Sequence, residues 1–450
     1  MAWVALLLSA VLLLVAFGFR RRPQRRLQQA ASRLALLTGK DVSAAERYQL
    51  LKELFGLVAR PQDADEKVAY QAVDLLQTAY GRGLARPDEP IHLTSLAGAL
   101  LSGGNPGLAA AALDCYRGLL RTADAVMAAE QLQTAGVLAL RAKQGFVAAK
   151  AVDILFALVE RPARAADPAA VAAVLGAVRI IGKLSLGRGD RAFFRELTVR
   201  LRTFLFASPP PAAPDAAVAG LFSVWLRTII NNQDEAALPL LAACMQDLAA
   251  HRPSEAAFKS VLAEGIELAA AAGANPHNRT GPALLAVLTD LVRQAADIPL
   301  WRRLVMAAMQ SARILLEQYD VRNVFTFLYP LLECSRLLVG EQIRFPGEGN
   351  DFRRQALLCV IREFLAVAEF SARLRLTDTA YQVLEAFYQC WRDDPALSYQ
   401  QKSAKRLFQL FVLFWKKHML RQPEWLPQQL ELLEPPLLTA ADLERLDLGL

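Results

Sequence analysis

The residue types that hold metals or act as nucleophiles are present but never gathered. His92, His251, His277 and His418 stand apart from one another and from Cys115, Cys244, Cys334, Cys359 and Cys390. A metal site needs several such ligands converging on one ion, and neither C-x-x-C nor H-E-x-x-H spacing occurs. There is no G-x-x-x-x-G-K-[ST] run to cradle a phosphate and no G-x-S-x-G elbow to expose a nucleophile. Gly103-Gly104-Asn105-Pro106-Gly107 has instead the make-up of a helix-ending turn. Asp393-Asp394-Pro395 lacks a third carboxylate at helical spacing and reads as the close of one helix. Arg188-Gly189-Asp190 matches an adhesion tripeptide by chance, and Asn278-Arg279-Thr280 is a glycosylation acceptor with no use in a cytoplasmic protein. The sequence therefore names no catalytic residue, no cofactor and no metal site, and the expectation is a non-catalytic chain.

Two constellations do carry a recognisable chemistry, and both are basic. Ser398 to Leu420 opens with the capping-box pattern Ser398-Tyr-Gln-Gln401 and holds no acidic residue. It carries Lys402, Lys405, Arg406, Lys416 and Lys417 around Phe408, Phe411, Phe414 and Trp415. A basic helix with an aromatic face suits an acidic partner or an anionic lipid surface. The apolar run Leu407 to Trp415 fits a buried core helix with solvated lysines as well. The second constellation is Arg20, Arg21, Arg22, Arg25 and Arg26. Residues 1–40 hold six Arg and one Lys with no Asp or Glu, which accounts for the whole net charge of +7 and leaves 41–450 neutral. A nucleic-acid-binding body would carry its own positive charge, so this distribution argues against nucleic acid as a partner.

The arginines close an uncharged apolar run of 18 residues, Ala2 to Phe19. As a helix it is about 27 Å long, close to the hydrocarbon thickness of a bilayer. No positive charge precedes it and no small-residue cleavage site follows, so it reads as a retained transmembrane anchor and not a signal peptide. Arginine resists translocation, which predicts the N-terminus outside and the body in the cytoplasm, a single-pass arrangement in the inner membrane. An odd number of cysteines in apolar contexts agrees with a reducing compartment. The apolar stretch from Ala169 to Leu184 contains Arg179 and Lys183 and reads as a core helix.

Everything after the anchor reads as helices. Ser43-Ala-Ala-Glu46 is a capping box, and Tyr48, Leu51, Phe55 and Val58 recur at helical spacing, which predicts one apolar face. Arg60-Pro61 stops that helix. Helical segments of about 18–20 residues with short connections follow to residue 433, and hairpin signals for strands are absent. Short connections make neighbours antiparallel, and pairs recurring about every 40 residues point to an α-solenoid. Leu238-Pro239-Leu240-Leu241 and Tyr329-Pro330-Leu331-Leu332 place a proline before Leu-Leu within apolar helix. That pattern resembles the kinked first helix of HEAT repeats, and implies the same stacked-hairpin architecture.

The expected organisation is all-α: an anchor (1–19), a basic juxtamembrane segment (20–42), helical repeats (43–207), a Pro-rich connector (208–214) and further repeats (215–450). Gly340 to Asn350 reads as a polar loop suited to a contact. Residues 301–450 hold 19 of the 36 aromatic residues, which predicts a denser core there. The function this implies is a membrane-anchored helical-repeat scaffold or adaptor that binds protein partners at the cytoplasmic face. An α/α-toroid enzyme or ligand binder with a central cavity, and a lipid-surface regulator, are the alternatives.

Overall fold

The computed structural model describes residues 23–36, 43–59, 66–85, 89–120, 124–207, 210–251, 255–273, 275, 278–344 and 350–392. All regular structure among them is helical. The proposed anchor, Arg20 to Arg22, the 398–420 helix with its lysines and aromatics, the 424–433 segment and Asp393-Asp394 lie outside the described residues. The helices fall in two compact units, Met1–Leu221 and Phe222–Leu450, with the division inside one helix.

In the first unit, α1 (23–36) is followed by α2 (Ala44–Ala59), α3 (Glu66–Gly81), α4 (Glu89–Ser102), α5 (Pro106–Asp114), α6 (Tyr116–Leu119), α7 (Ala125–Arg141), α8 (Gly145–Leu158), the single turn α9 (Pro162–Ala165), α10 (Pro168–Gly187) and α11 (Arg191–Leu205). Each sequential pair forms an antiparallel hairpin, and the hairpins stack in two rows. The first helices α2, α4, α7 and α10 lie side by side, and the second helices α3, α5–α6, α8 and α11 form the other row. The core lies between the rows and is built of Leu, Val and Ala. α10 is long and apolar enough to cross a membrane, but 56% of its most apolar window is buried against its neighbours. It is a core helix of the array.

The second unit repeats the plan. α12 (Asp215–Asn231) carries the division, and α13 (Leu238–His251), α14 (Glu255–Gly273), α15 (Thr280–Ala295), α16 (Ile298–Glu317), α17 (Val321–Arg344), α18 (Asn350–Arg373) and α19 (Thr377–Arg392) follow. Here α14, α16 and α18 form one row and α13, α15, α17 and α19 the other.

One turn recurs at six places where a first helix gives way to a second. The residues after α4, α7, α10, α12, α16 and α18 include one in the left-handed region: Gly104, Lys143, Gly189, Gln233, Tyr319 and Arg375, with φ between 52° and 75°. In each case the next amide reaches back five residues, as Asp190 N–H does to Ser185 O at 3.0 Å, which is the Schellman closure. Arg188-Gly189-Asp190 is thus a hairpin turn: Gly189 takes the left-handed position and Asp190 caps α11 through the amide of Phe193 at 3.1 Å. Asp124, Asp167 and Asp297 cap α7, α10 and α16 in the same way.

Several expectations are corrected by position. The capping box at Ser43 and Glu46 forms, but the buried face of α2 is Leu50, Leu51, Leu54, Leu57 and Val58. Tyr48 lies at its margin, 46% exposed, with the Lys52 ammonium 5.7 Å from its ring centre. Gly340 to Arg344 continue α17, and 345–349 are outside the described residues. Pro239 stands in the first turn of α13, where no helical bond is lost, whereas Pro330 lies within α17. Both occur in second helices of their hairpins, so the two prolines do not share the register, or the first-helix place, of a HEAT kink. Within the segment 20–42, the described residues 23–36 form α1, which buries Leu27, Ala30 and Leu34, and Arg33 pairs with Glu53 of α2 at 2.9 Å.

Candidate functional site

The acids of the described chain are mostly spent on helix starts and on pairs between helices. Asp124, Asp167, Asp190 and Asp297 are caps, Asp114 meets Lys150 at 2.9 Å, and Asp153 meets Arg200. Among the described residues no three of His, Cys, Asp or Glu gather as a metal site would require. Two of the thiols, Cys115 and Cys359, are held in the protonated form. Burial, with the nearby Asp114 and Asp74 carboxylates, pushes Cys115 up to about 12, and burial beside Glu363 pushes Cys359 up to about 11. A thiol that stays protonated at neutral pH is packing material and not a nucleophile. A buried polar knot at α4 is likewise structural. Tyr116 donates to Pro90 O at 2.5 Å beside the Thr94 hydroxyl, and Tyr80 donates to the buried Glu89 at 3.0 Å.

One feature among the described residues that offers a surface is a groove between α15 and α17 of the second unit, with a volume of about 550 Å³. It is lined by the buried Thr289 and Cys334, the half-buried Pro330, and the exposed Ala286, Thr326, Tyr329 and Leu337. Tyr329 is 55% and Leu337 43% exposed, although both are large apolar side chains on a helix whose opposite face is fully buried. Asp290 pairs with Arg293 at 2.7 Å on the α15 wall, and Glu333 with Arg336 at 2.6 Å on the α17 wall. Pro330 has no N–H, so it gives the Thr326 carbonyl on this wall no helical bond. An apolar trough walled by helices, with charges of both signs along its sides, matches the general form of a peptide-accepting groove.

Sequence reasoning pointed elsewhere. Arg25 and Arg26 are exposed on α1, and Arg20 to Arg22, Lys402, Lys405, Arg406, Phe408, Phe411, Trp415, Lys416 and Lys417 lie outside the described residues. The groove is not among these sites. Its one sequence signal was Tyr329-Pro330, noticed as a kink: a proline there thins the wall of a helix and an aromatic beside it stays uncovered.

No family model matches the chain, and no curated protein matches it. A solved structure described as a "circular tandem repeat protein with novel repeat topology and enhanced subunit contact surfaces" is similar over 97% of this chain and 91% of its own, at 17% identity and a TM-score of 0.29. That superposition is too loose to argue from. The helical-repeat fold stands on the stacked hairpins themselves, and it is a scaffold-type architecture.

Proposed function

We propose that the protein is a membrane-anchored, non-catalytic adaptor that holds protein partners at the cytoplasmic face of the membrane. Residues 2–19 are the anchor, with the N-terminus outside, and the α15–α17 groove receives an amphipathic segment of a partner. The observation that carries the reading is the row of stacked hairpins whose second unit leaves Tyr329 and Leu337 uncovered over a groove. Stacked repeats give extended contact surfaces, and confinement to one membrane raises the effective concentration of whatever they hold. The dispersal of acids into caps and ion pairs supports the scaffold over the toroid enzyme.

Two measurements test it on the full chain. The protein should stay with membranes through an alkaline wash, and a C-terminal reporter that works only outside the membrane should be silent. A photo-crosslinking residue replacing Tyr329 should trap a protein adduct that Leu337→Asp abolishes, while the same probe at exposed Thr203 should not form that adduct. Identical adducts at both positions, or an active reporter, overturn the reading.

A further inference from the structure

The α15–α17 groove is edged by a cation as well as by apolar side chains. On α17 the exposed residues Arg322, Thr326, Tyr329, Glu333 and Leu337 recur every three or four positions and form one stripe. The two acids that line the groove, Asp290 and Glu333, are each paired with an arginine three residues on, Arg293 and Arg336. Asp320, the acid nearest Arg322 in the chain, accepts from the side-chain amide of Asn323 at 2.7 Å. Arg322 is left as the charge on this stripe with which no acid among the described residues pairs. Such a groove suits an apolar helix face that carries acids beside its apolar residues.

The chain carries a segment of this kind itself. Residues 393–450 lie beyond the last described helix, and their sequence is divided by charge. Residues 398–421 hold six Lys and Arg and no acid, whereas 424–450 hold six acids and one Arg among ten Leu. Pro427, Pro435 and Pro436 cut the first part of the acidic stretch into short pieces. After them, Leu438-Thr439-Ala-Ala-Asp442-Leu443 has the pattern of a helix start. Thr439 is the cap, Asp442 stands three residues on to reciprocate, and Leu438 is placed to close on Leu443. Leu443, Leu446 and Leu450 then recur at helical spacing, with Asp442, Glu444 and Asp447 around them against Arg445 alone. A lone helix of about a dozen residues is marginal in water, so this one needs a surface for its leucines.

The end of the described chain puts the groove within reach. α19 ends at Arg392 and packs on α17, which itself packs on α15. The groove is therefore about one and a half helix spacings from α19, roughly 15 Å. Residues 393–438 supply 46 positions to cover it, at about 3.3 Å each when extended. We infer that residues 439–450 lie in the α15–α17 groove of their own chain as an amphipathic helix, Leu443, Leu446 and Leu450 against Tyr329 and Leu337, until a partner displaces them. The inference rests on the groove reading of the proposed function and gives that groove a resident occupant. The stretch 398–421 is a poor competitor, since it would bring six cations and no acid to Arg322. A segment held at about 1 mM effective concentration and binding tenfold tighter than that leaves about one groove in ten open, which weakens a partner about tenfold.

The experiment places a benzophenone side chain at position 329 of the purified full chain and maps its photoproducts by mass spectrometry. The expected product is a link from 329 to residues 439–450 at the mass of a single chain. The double substitution L443D/L446D should cut this link at least about fivefold, and the conservative pair L443M/L446M should keep it. In membranes, L443D/L446D should also raise the yield of the partner adduct at 329 by up to about tenfold. A link to another part of the chain, a link between two copies, no link, or a link that survives L443D/L446D overturns the inference. A partner adduct that still forms in any of those cases leaves the groove reading intact. The intrachain link without a partner adduct does the reverse: it upholds the seat of 439–450 and overturns the groove as a partner site.

Discussion

The first-helix rows of the two units are built to the same plan from different materials. In the first unit the row closes on small residues. A side chain on Gly98 of α4 would stand 3.1 Å from Leu138 of α7, and one on Gly136 of α7 would stand 2.7 Å from Ile181 of α10. In the second unit the row is spanned by a large ring and by ions. Trp301 of α16 is fully buried, donates to Ala356 O of α18 at 3.1 Å and meets Phe352 edge-on, with ring centres 6.2 Å apart. Arg303 pairs with Glu267 at 2.5 Å, and Lys259 with Asp297 at 2.8 Å. Along this row the second unit has a close approach at Gly273 against Ser311, while Gly265 against Leu288 and Gly281 against Ala272 lie between α14 and α15. Backbone proximity leaves no room for substitution, whereas a buried ring concentrates the stability of two helices in one side chain.

The largest effect that would test this contrast is Trp301→Ala. It should cost the second unit about 3–5 kcal/mol, through lost burial, a cavity and an unmet Ala356 carbonyl, read as a lowered denaturation midpoint. Chemical denaturation that shows no loss would mean the row does not depend on the ring. Next comes the glycine pair of the first unit. Gly136→Val should cost about 1–3 kcal/mol by overpacking against Ile181. Gly176→Ala in α10, which meets nothing within 4 Å, should instead gain about 0.5–1 kcal/mol. Equal effects at the two glycines would remove the distinction between a closed seam and an open face.

The smallest effect sharpens the ionic side. Asp297 is raised by partial burial, but the Lys259 ammonium and the Leu300 amide outweigh this and hold it below its ordinary value. A depressed carboxylate contributes stability above its unfolded-state value and loses it as pH falls through the folded one. Asparagine caps a helix as well as aspartate, so Asp297→Asn should destabilise by up to about 1 kcal/mol at neutral pH through loss of the Lys259 ion pair. The gap to the parent should close as acidity passes the ordinary carboxylate range, and a gap independent of pH would show that the Asp297 charge does not carry the effect.

The order and type of the helices were readable in the sequence because long amphipathic segments with prolines and caps at their ends leave little choice. α12 and α19 begin and end where the pattern places them, whereas the caps at Asp190 and Asp297 went unread. The face of α2 was misjudged at Tyr48 because a tyrosine half-covered by a lysine stem fits the apolar period as well as a buried one. Lys143, Gln233, Tyr319 and Arg375 gave no sign of left-handed turns, since the fold and not the residue enforces that conformation. The groove was hidden for a related reason. It arises between α15 and α17, which are adjacent in space but separated in sequence by α16, and no local pattern records which side chains two such helices leave uncovered.

The recurrent turn has one more consequence. Glycine, lysine, glutamine, tyrosine and arginine all occupy the same geometric spot with the same backbone closure. Identity at that spot is decoupled from architecture, so within each unit these turns are interchangeable positions, free to gain or shed charge while the hairpins beneath keep their shape.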